Sequence, residues 1–173
     1  MIYRFENAVS QRMTEFLFYE ATTSNRWSFT YPLNTPIDES FPKLDVIMDD
    51  GIREPYLAGI ALSLLLNIYE RIGEDYFFPE VHYCGISIKD KHRLDNIHTD
   101  DCDLKVLTLL NQEWKPEWGG EFIFDGEAYP LTPGDVIVFN PRIPHGAAPI
   151  NIDKKRIALD MGVKPPRGKN NGN

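Results

Sequence analysis

The chain is short of every feature that would place it in a membrane, in a disulfide scaffold or on nucleic acid. Two cysteines, Cys84 and Cys102, are too few to staple a small secreted domain, and no Cys-x-x-Cys pair marks a structural zinc site. No run of 18 apolar residues occurs. The longest apolar stretch, residues 57–68, is interrupted by Gly59, Ser63 and Asn67 and suits a buried helix. The first eleven residues carry no apolar core of the signal-peptide kind, so a reducing, cytoplasmic setting with two free thiols and no membrane partner is expected. Basic residues are outnumbered, 18 Lys and Arg against 26 Asp and Glu for a net charge of −8, so no nucleic acid partner is expected. Internal repeats and low-complexity blocks are also missing.

What is present suits one packed domain. The chain has 173 residues, 42% of them hydrophobic and 12% aromatic, enough for one core and too few for two. Ala8, Val9, Met13, Phe16 and Leu17 have a loosely helical spacing over 7–21, and residues 27–31 read as a short strand closed by Pro32. Residues 34–42 read as loop. Leu57, Ile60, Ala61, Leu64, Leu65 and Ile68 mark an amphipathic helix over 54–72, begun at Pro55 and stopped by Gly73.

Beyond Gly73 the period becomes that of strands. Residues 81–88, 104–110, 121–124, 136–139 and 156–163 are strand candidates, separated by Gly and Pro turns. The order predicts an α+β protein in three stretches: a helical support region over 1–75, a jelly-roll core over 76–164 and a disordered tail over 165–173.

His98-Thr99-Asp100 carries the first chemical signal. Side chains at i and i+2 of an extended segment point the same way, so His98 and Asp100 can reach one point. His145, at the far side of a strand and turn, supplies a third ligand. Two imidazoles and one carboxylate on one face of an ion form the facial triad of non-haem Fe(II) sites. Eleven residues later Arg156 opens Arg156-Ile-Ala-Leu-Asp160, where alternation places Arg156, Ala158 and Asp160 on one face. A strand-borne guanidinium turned inward needs an anion, and its fork fits a carboxylate. Arg156 is thus a candidate anchor for a dicarboxylic cosubstrate, with Lys154 and Lys155 as neighbouring alternatives.

Taken in order, His98-x-Asp100, Leu110-Asn111 with Trp114, Gly119-Gly120-Glu121, Pro133-Gly134-Asp135, His145 and Arg156 resemble the 2-oxoglutarate- and Fe(II)-dependent oxygenases, in their prolyl 4-hydroxylase-like branch. The resemblance spans residues 81–163. It implies a double-stranded β-helix (jelly roll, cupin-like) with N-terminal supporting helices. It implies Fe(II) held by His98, Asp100 and His145, and 2-oxoglutarate bound through its 1-carboxylate and keto oxygen to the metal and through its far carboxylate to Arg156. Tyr83 matches a position where related prolyl hydroxylases place an active-site tyrosine, and so joins Arg156 as a cofactor-binding candidate. O2 is the co-reactant and ascorbate a further cofactor.

The activity implied is hydroxylation of an unactivated C–H bond, on a prolyl residue of a protein or peptide, with release of succinate and CO2. A free amino acid or another small molecule is an alternative substrate. Ala158 stands where many relatives have Ser or Thr, which removes one hydroxyl contact to 2-oxoglutarate. A non-enzymatic cupin-like module that binds a metal or small ligand needs no Arg156, and a zinc or manganese hydrolase or isomerase is a further alternative. The charged stretch 89–96 is a candidate lid or a plain hairpin. Cys102 near the triad invites a zinc reading that lacks a paired cysteine.

Overall fold

A computed structural model describes residues 1–30, 41–72, 80–93 and 97–164. Gly73, the loop 34–40, Leu94 to Asn96 of the candidate lid, and the tail 165–173 lie outside the described residues.

Two helices cover one face of the molecule. Helix α1, Gln11–Thr23, starts at Ser10, whose hydroxyl accepts from the Met13 N–H, and it buries Thr14, Leu17 and Ala21. Helix α2, Pro55–Ile72, uses Pro55 where a missing N–H costs nothing, and it buries Leu57, Ala58, Ala61, Leu64, Leu65 and Ile68 along one stripe. Among the described residues no helix is long and apolar enough to cross a membrane.

The strands are β1 (Ile2–Phe5), β2 (Ser28–Thr30), β3 (Phe41–Met48), β4 (Gly51–Ile52), β5 (Glu80–Lys89), β6 (Leu104–Leu109), β7 (Phe122–Phe124), β8 (Glu127–Tyr129), β9 (Val136–Phe139), β10 (His145–Ala147) and β11 (Arg156–Lys164). The larger sheet runs β1-β9-β6-β11-β5-β3-β2, with β4 on β3, and the smaller runs β10-β7-β8. All pairings among the described residues are antiparallel. An isolated bridge between His98 and His145 adds one more rung to the smaller sheet.

Alternation along the strands separates two cores. Val106, Val136, Val138, Ile157, Leu159 and Met161 point from the larger sheet toward the helices. Leu107, Leu109, Ile137, Phe139 and Ala158 point the other way and meet Phe122 and Phe124 of the smaller sheet. Two facing antiparallel sheets with helices outside make the expected α+β double-stranded β-helix.

The expectation for residues 1–75 needs correction. That stretch is helical support only in part, because β1, β2, β3 and β4 belong to the larger sheet. Phe41 and Pro42, expected in a loop, begin β3 and pair with Thr30 and Phe29. Proline normally argues against a strand interior, and a register shift between Asp45 and Ile47 breaks the period-2 pattern that would have revealed this one.

Candidate metal centre

The backbone brings His98 and His145 together before their side chains do. Each donates its N–H to the other's carbonyl at 2.9 Å, and the Asp100 N–H is held by the Pro141 carbonyl at 2.9 Å. His98 and Asp100 therefore sit on an extended segment docked against the start of β10. One donor atom from each of His98, Asp100 and His145 lies within 4.8 Å of the others. Asp100 Oδ2 is 3.2 Å from His145 Nε2 and 3.8 Å from His98 Nε2. Donors about 2.1 Å from an ion and at right angles stand roughly 3 Å apart; the His145–Asp100 pair is near that spacing and the His98–Asp100 pair is wider.

His145 is fixed from both sides. Its Nδ1 lies 3.0 Å from the Ile143 carbonyl, which can only accept, so Nδ1 carries a hydrogen and Nε2 is the ring nitrogen turned to the centre. Its ring packs on Phe139 and Phe122 at 4.9 and 6.2 Å between centroids. His145 Nε2 and the Asp100 carboxylate oxygen stand 3.2 Å apart, and both are lone-pair atoms whenever Nε2 carries no hydrogen. That contact is favourable only with a cation between them, a proton or a metal ion. His98 is half exposed and opens the centre to solvent.

A second polar cluster adjoins the triad. Lys105 on β6 places Nζ 2.5 Å from Asp100 Oδ2 and 3.0 Å from Asp160 Oδ2 on β11. The Tyr83 hydroxyl on β5 donates to the same Asp160 oxygen at 2.7 Å. Burial alone would lower the Lys105 pKa, but Asp160 and Asp100 outweigh it and push it up to about 12. Burial also works to raise Asp100, yet the His145 hydrogen bond and the Lys105 charge hold it well below the usual carboxylate range. Burial, reinforced by Asp160, carries the Tyr83 hydroxyl well above its ordinary value. The ring of Tyr83 lies over Gly162, its cross-strand partner, where an added Cβ would stand 2.4 Å from Cε1.

Arg156 occupies the other end of the same inward face. It pairs across β5 with Lys89, and both side chains are buried. Its guanidinium donates to the Gly120 carbonyl. Gly120 has φ +76°, and a Cβ there would meet Ile150 and the Arg156 Cδ, so this turn needs glycine for both backbone shape and space. Between Arg156 and Asp160 the face carries only Ala158, opposite Ser87 and Leu109. The alternation predicted for 156–160 is thus observed.

The sequence-derived residues are therefore brought together in two groups. His98, Asp100 and His145 form the triad. Tyr83 stands at the triad's end of the interior, engaged with Asp160, four residues along β11 from Arg156. Lys154 lies 3.8 Å over the Trp118 ring, and Lys154 and Lys155 are exposed whereas Arg156 is buried, so Arg156 is the basic residue of this trio that turns inward. Asp153 pairs with Lys91 rather than with Arg156. Cys102 is buried outside the group of possible ligands.

Lys105 was missed from the sequence, as was the role of Asp160. Strand alternation over 104–109 contains the signal: it turns Lys105 the same way as Leu107 and Leu109, an inward lysine that demands a counterion. Lys89, at the start of the charged stretch expected as a lid or hairpin, is the last residue of β5.

No protein-family model matches the chain, and no curated protein sequence does. Solved structures do. An oxidoreductase of the 2OG-Fe(II) oxygenase family from Burkholderia pseudomallei superposes with a TM-score of 0.73 at 15% identity, over 94% of this chain and 85% of that one. A prolyl hydroxylase from Trichoplax adhaerens, in complex with a hypoxia inducible factor oxygen degradation domain peptide fragment, gives 0.65 at 18% identity, over 94% and 83%. HygX from Streptomyces hygroscopicus, with nickel, 2-oxoglutarate and hygromycin B bound, gives 0.68 at 14% identity, over 96% and 83%. At these identities the likeness establishes the shared fold.

Proposed function

We propose that the protein is a 2-oxoglutarate- and Fe(II)-dependent dioxygenase that hydroxylates an unactivated C–H bond, with a prolyl residue of a protein or peptide as the substrate. The observation that carries this reading is the convergence of His98, Asp100 and His145 on one point, with His145 Nε2 and Asp100 Oδ2 3.2 Å apart. Two imidazoles and a carboxylate leaving the opposite positions open are the donor set suited to Fe(II). When bound, that metal would supply oxidative decarboxylation of 2-oxoglutarate coupled to C–H hydroxylation.

The protein's own part is orientation, charge and exclusion of water. The Ile143 carbonyl fixes the His145 tautomer, and Phe122 and Phe139 hold its ring. Arg156 and Lys89 make the far end of the interior cationic, which matches the second carboxylate of a dicarboxylic acid. Between the two ends the paired strands β11 and β5 carry only the small side chains Ala158 and Ser87 on this face. Tyr83 belongs to the triad's end of the site, so any contact it makes with the cosubstrate is there and not at Arg156.

The prolyl assignment draws on the solved prolyl hydroxylase of the same fold and on the motif order around Leu110-Asn111 and Gly119-Gly120. Incubation with Fe(II), 2-oxoglutarate and panels of prolyl peptides, free amino acids and amine-bearing small molecules tests it. Succinate should form in step with a substrate gain of about 16 mass units, the mass of one oxygen atom inserted into a C–H bond. A protein that binds metal and yields no succinate with any member of the panel is the binding module instead.

A further inference from the structure

We infer that Lys105 is a resident cation of the metal centre, which weakens binding of the divalent metal and strengthens binding of the anionic cosubstrate, and that Asp160 and Tyr83 hold it in place. This rests on the function proposed above.

The contacts are specific. The Lys105 side chain is 8% exposed, and its ammonium reaches the very oxygen of Asp100 that faces the two imidazoles. A carboxylate oxygen has two lone pairs, so Oδ2 can serve the ammonium and a metal ion together. Asp160 alone would satisfy a buried lysine; the shorter contact, 2.5 Å against 3.0 Å, is the one to Asp100. Confining a long flexible side chain costs conformational entropy and desolvation, and three strands contribute to meeting that cost. Tyr83 from β5 donates to Asp160 from β11, its ring lies 5.4 Å from the Lys105 Nζ of β6, and Gly162 leaves the space for that ring.

The consequence is a matter of charge. Asp100, Asp160 and a divalent ion together are neutral, and Lys105 raises the loaded centre to one net positive charge. A cation so near the ligand carboxylate opposes the arrival of a metal ion. The same cation favours an incoming carboxylate. One residue therefore moves two affinities in opposite directions. A lysine that merely oriented Asp100 would strengthen metal binding and leave the anion unaffected.

Calorimetric titration of the full chain with Mn(II), and then of the Mn(II)-loaded protein with 2-oxoglutarate under nitrogen, separates these roles. Lys105→Met should bind Mn(II) about tenfold more tightly and 2-oxoglutarate about tenfold more weakly, the scale of one unit charge removed at short range in a partly buried site. Asp160→Asn changes the charge the other way and should give the mirror image, weaker Mn(II) and tighter 2-oxoglutarate. It also carries the test if Lys105→Met does not fold, as judged by circular dichroism. Two affinities that fall together in Lys105→Met, or that stay unmoved in both charge variants, overturn the inference alone. A wild-type protein that fails to bind 2-oxoglutarate overturns the proposed function and this inference with it.

Discussion

His98 and His145 each donate a backbone N–H to the other's carbonyl at 2.9 Å, so two of the three proposed metal ligands are fixed by main chain rather than by side-chain packing. The register of this one rung determines whether the imidazoles meet. A slip of one residue would turn one ring to the opposite face.

Removing one imidazole should therefore abolish metal binding without unfolding the protein. At one hundred times its dissociation constant, Mn(II) should stabilise the wild type by about 2.7 kcal/mol, and EDTA should reverse this. His98→Ala should show no such gain. Its own stability should lie within about 1 kcal/mol of wild type, since the His98 side chain is half exposed. Urea denaturation with and without metal measures both, and a retained metal effect in His98→Ala would remove that residue from the centre.

Arg156 should govern the cosubstrate and leave the metal alone. Truncating one partner of a buried, hydrogen-bonded charge pair costs about 2–5 kcal/mol, so Arg156→Ala should raise the dissociation constant for 2-oxoglutarate by roughly a hundredfold. Arg156→Lys keeps the charge but loses the fork and should fall between. Mn(II) affinity should stay near wild type in both. An unchanged response to 2-oxoglutarate would favour the cupin-like binding module.

The triad was legible in the sequence because its signal is local: a two-residue spacing on an extended segment, then a histidine after a Pro and Gly turn. The inward turn of Arg156 was legible for the same reason, since Arg156, Ala158 and Asp160 alternate with the apolar Ile157, Leu159 and Met161. Less was visible in the first 75 residues. The four residues of β1 and the two of β4 are too short to show a period, and β3 hides its period behind Pro42 and a bulge. The three-residue strands β8 and β10 are likewise defined by their partners rather than by their own composition. Lys105 escaped notice because its meaning depends on Asp160, 55 residues away, and on a register that only the sheet reveals.

Gly162 should tolerate no side chain while Tyr83 is present. A Cβ at Gly162 would stand 2.4 Å from Cε1 and 2.8 Å from Cδ1 of the tyrosine ring, and 3.3 Å from the Cys102 Sγ. Overpacking of this kind costs about 1–3 kcal/mol. Gly162→Ala should lower the urea midpoint accordingly, and combining it with Tyr83→Ala should recover part of the loss. Additive losses in the double variant would show that the ring is not what occupies the space.

Cys84 should make stability fall as the solution becomes alkaline. Burial, helped by Asp160 and opposed by Lys43, pushes its thiol well above the ordinary range, so the folded protein keeps the proton. The unfolded chain releases it near the ordinary thiol value of about 8.5. Above that pH the unfolded state binds fewer protons than the native state, and the free energy of unfolding must decrease by up to about 1.4 kcal/mol per pH unit per thiol. The contribution is intact below about pH 8.5 and is lost progressively as the pH rises from there toward the folded value. Cys102, pushed up to about 11 mainly by burial, adds to the same trend. Cys84→Ala should cost about 1–2 kcal/mol at pH 7, where it leaves a small cavity in the helix-side core. Its urea midpoint should then converge on that of the wild type between pH 8.5 and 10, because only the wild type carries this ionisation. Parallel curves over that interval would mean that the Cys84 thiol is not held in its protonated form by the fold.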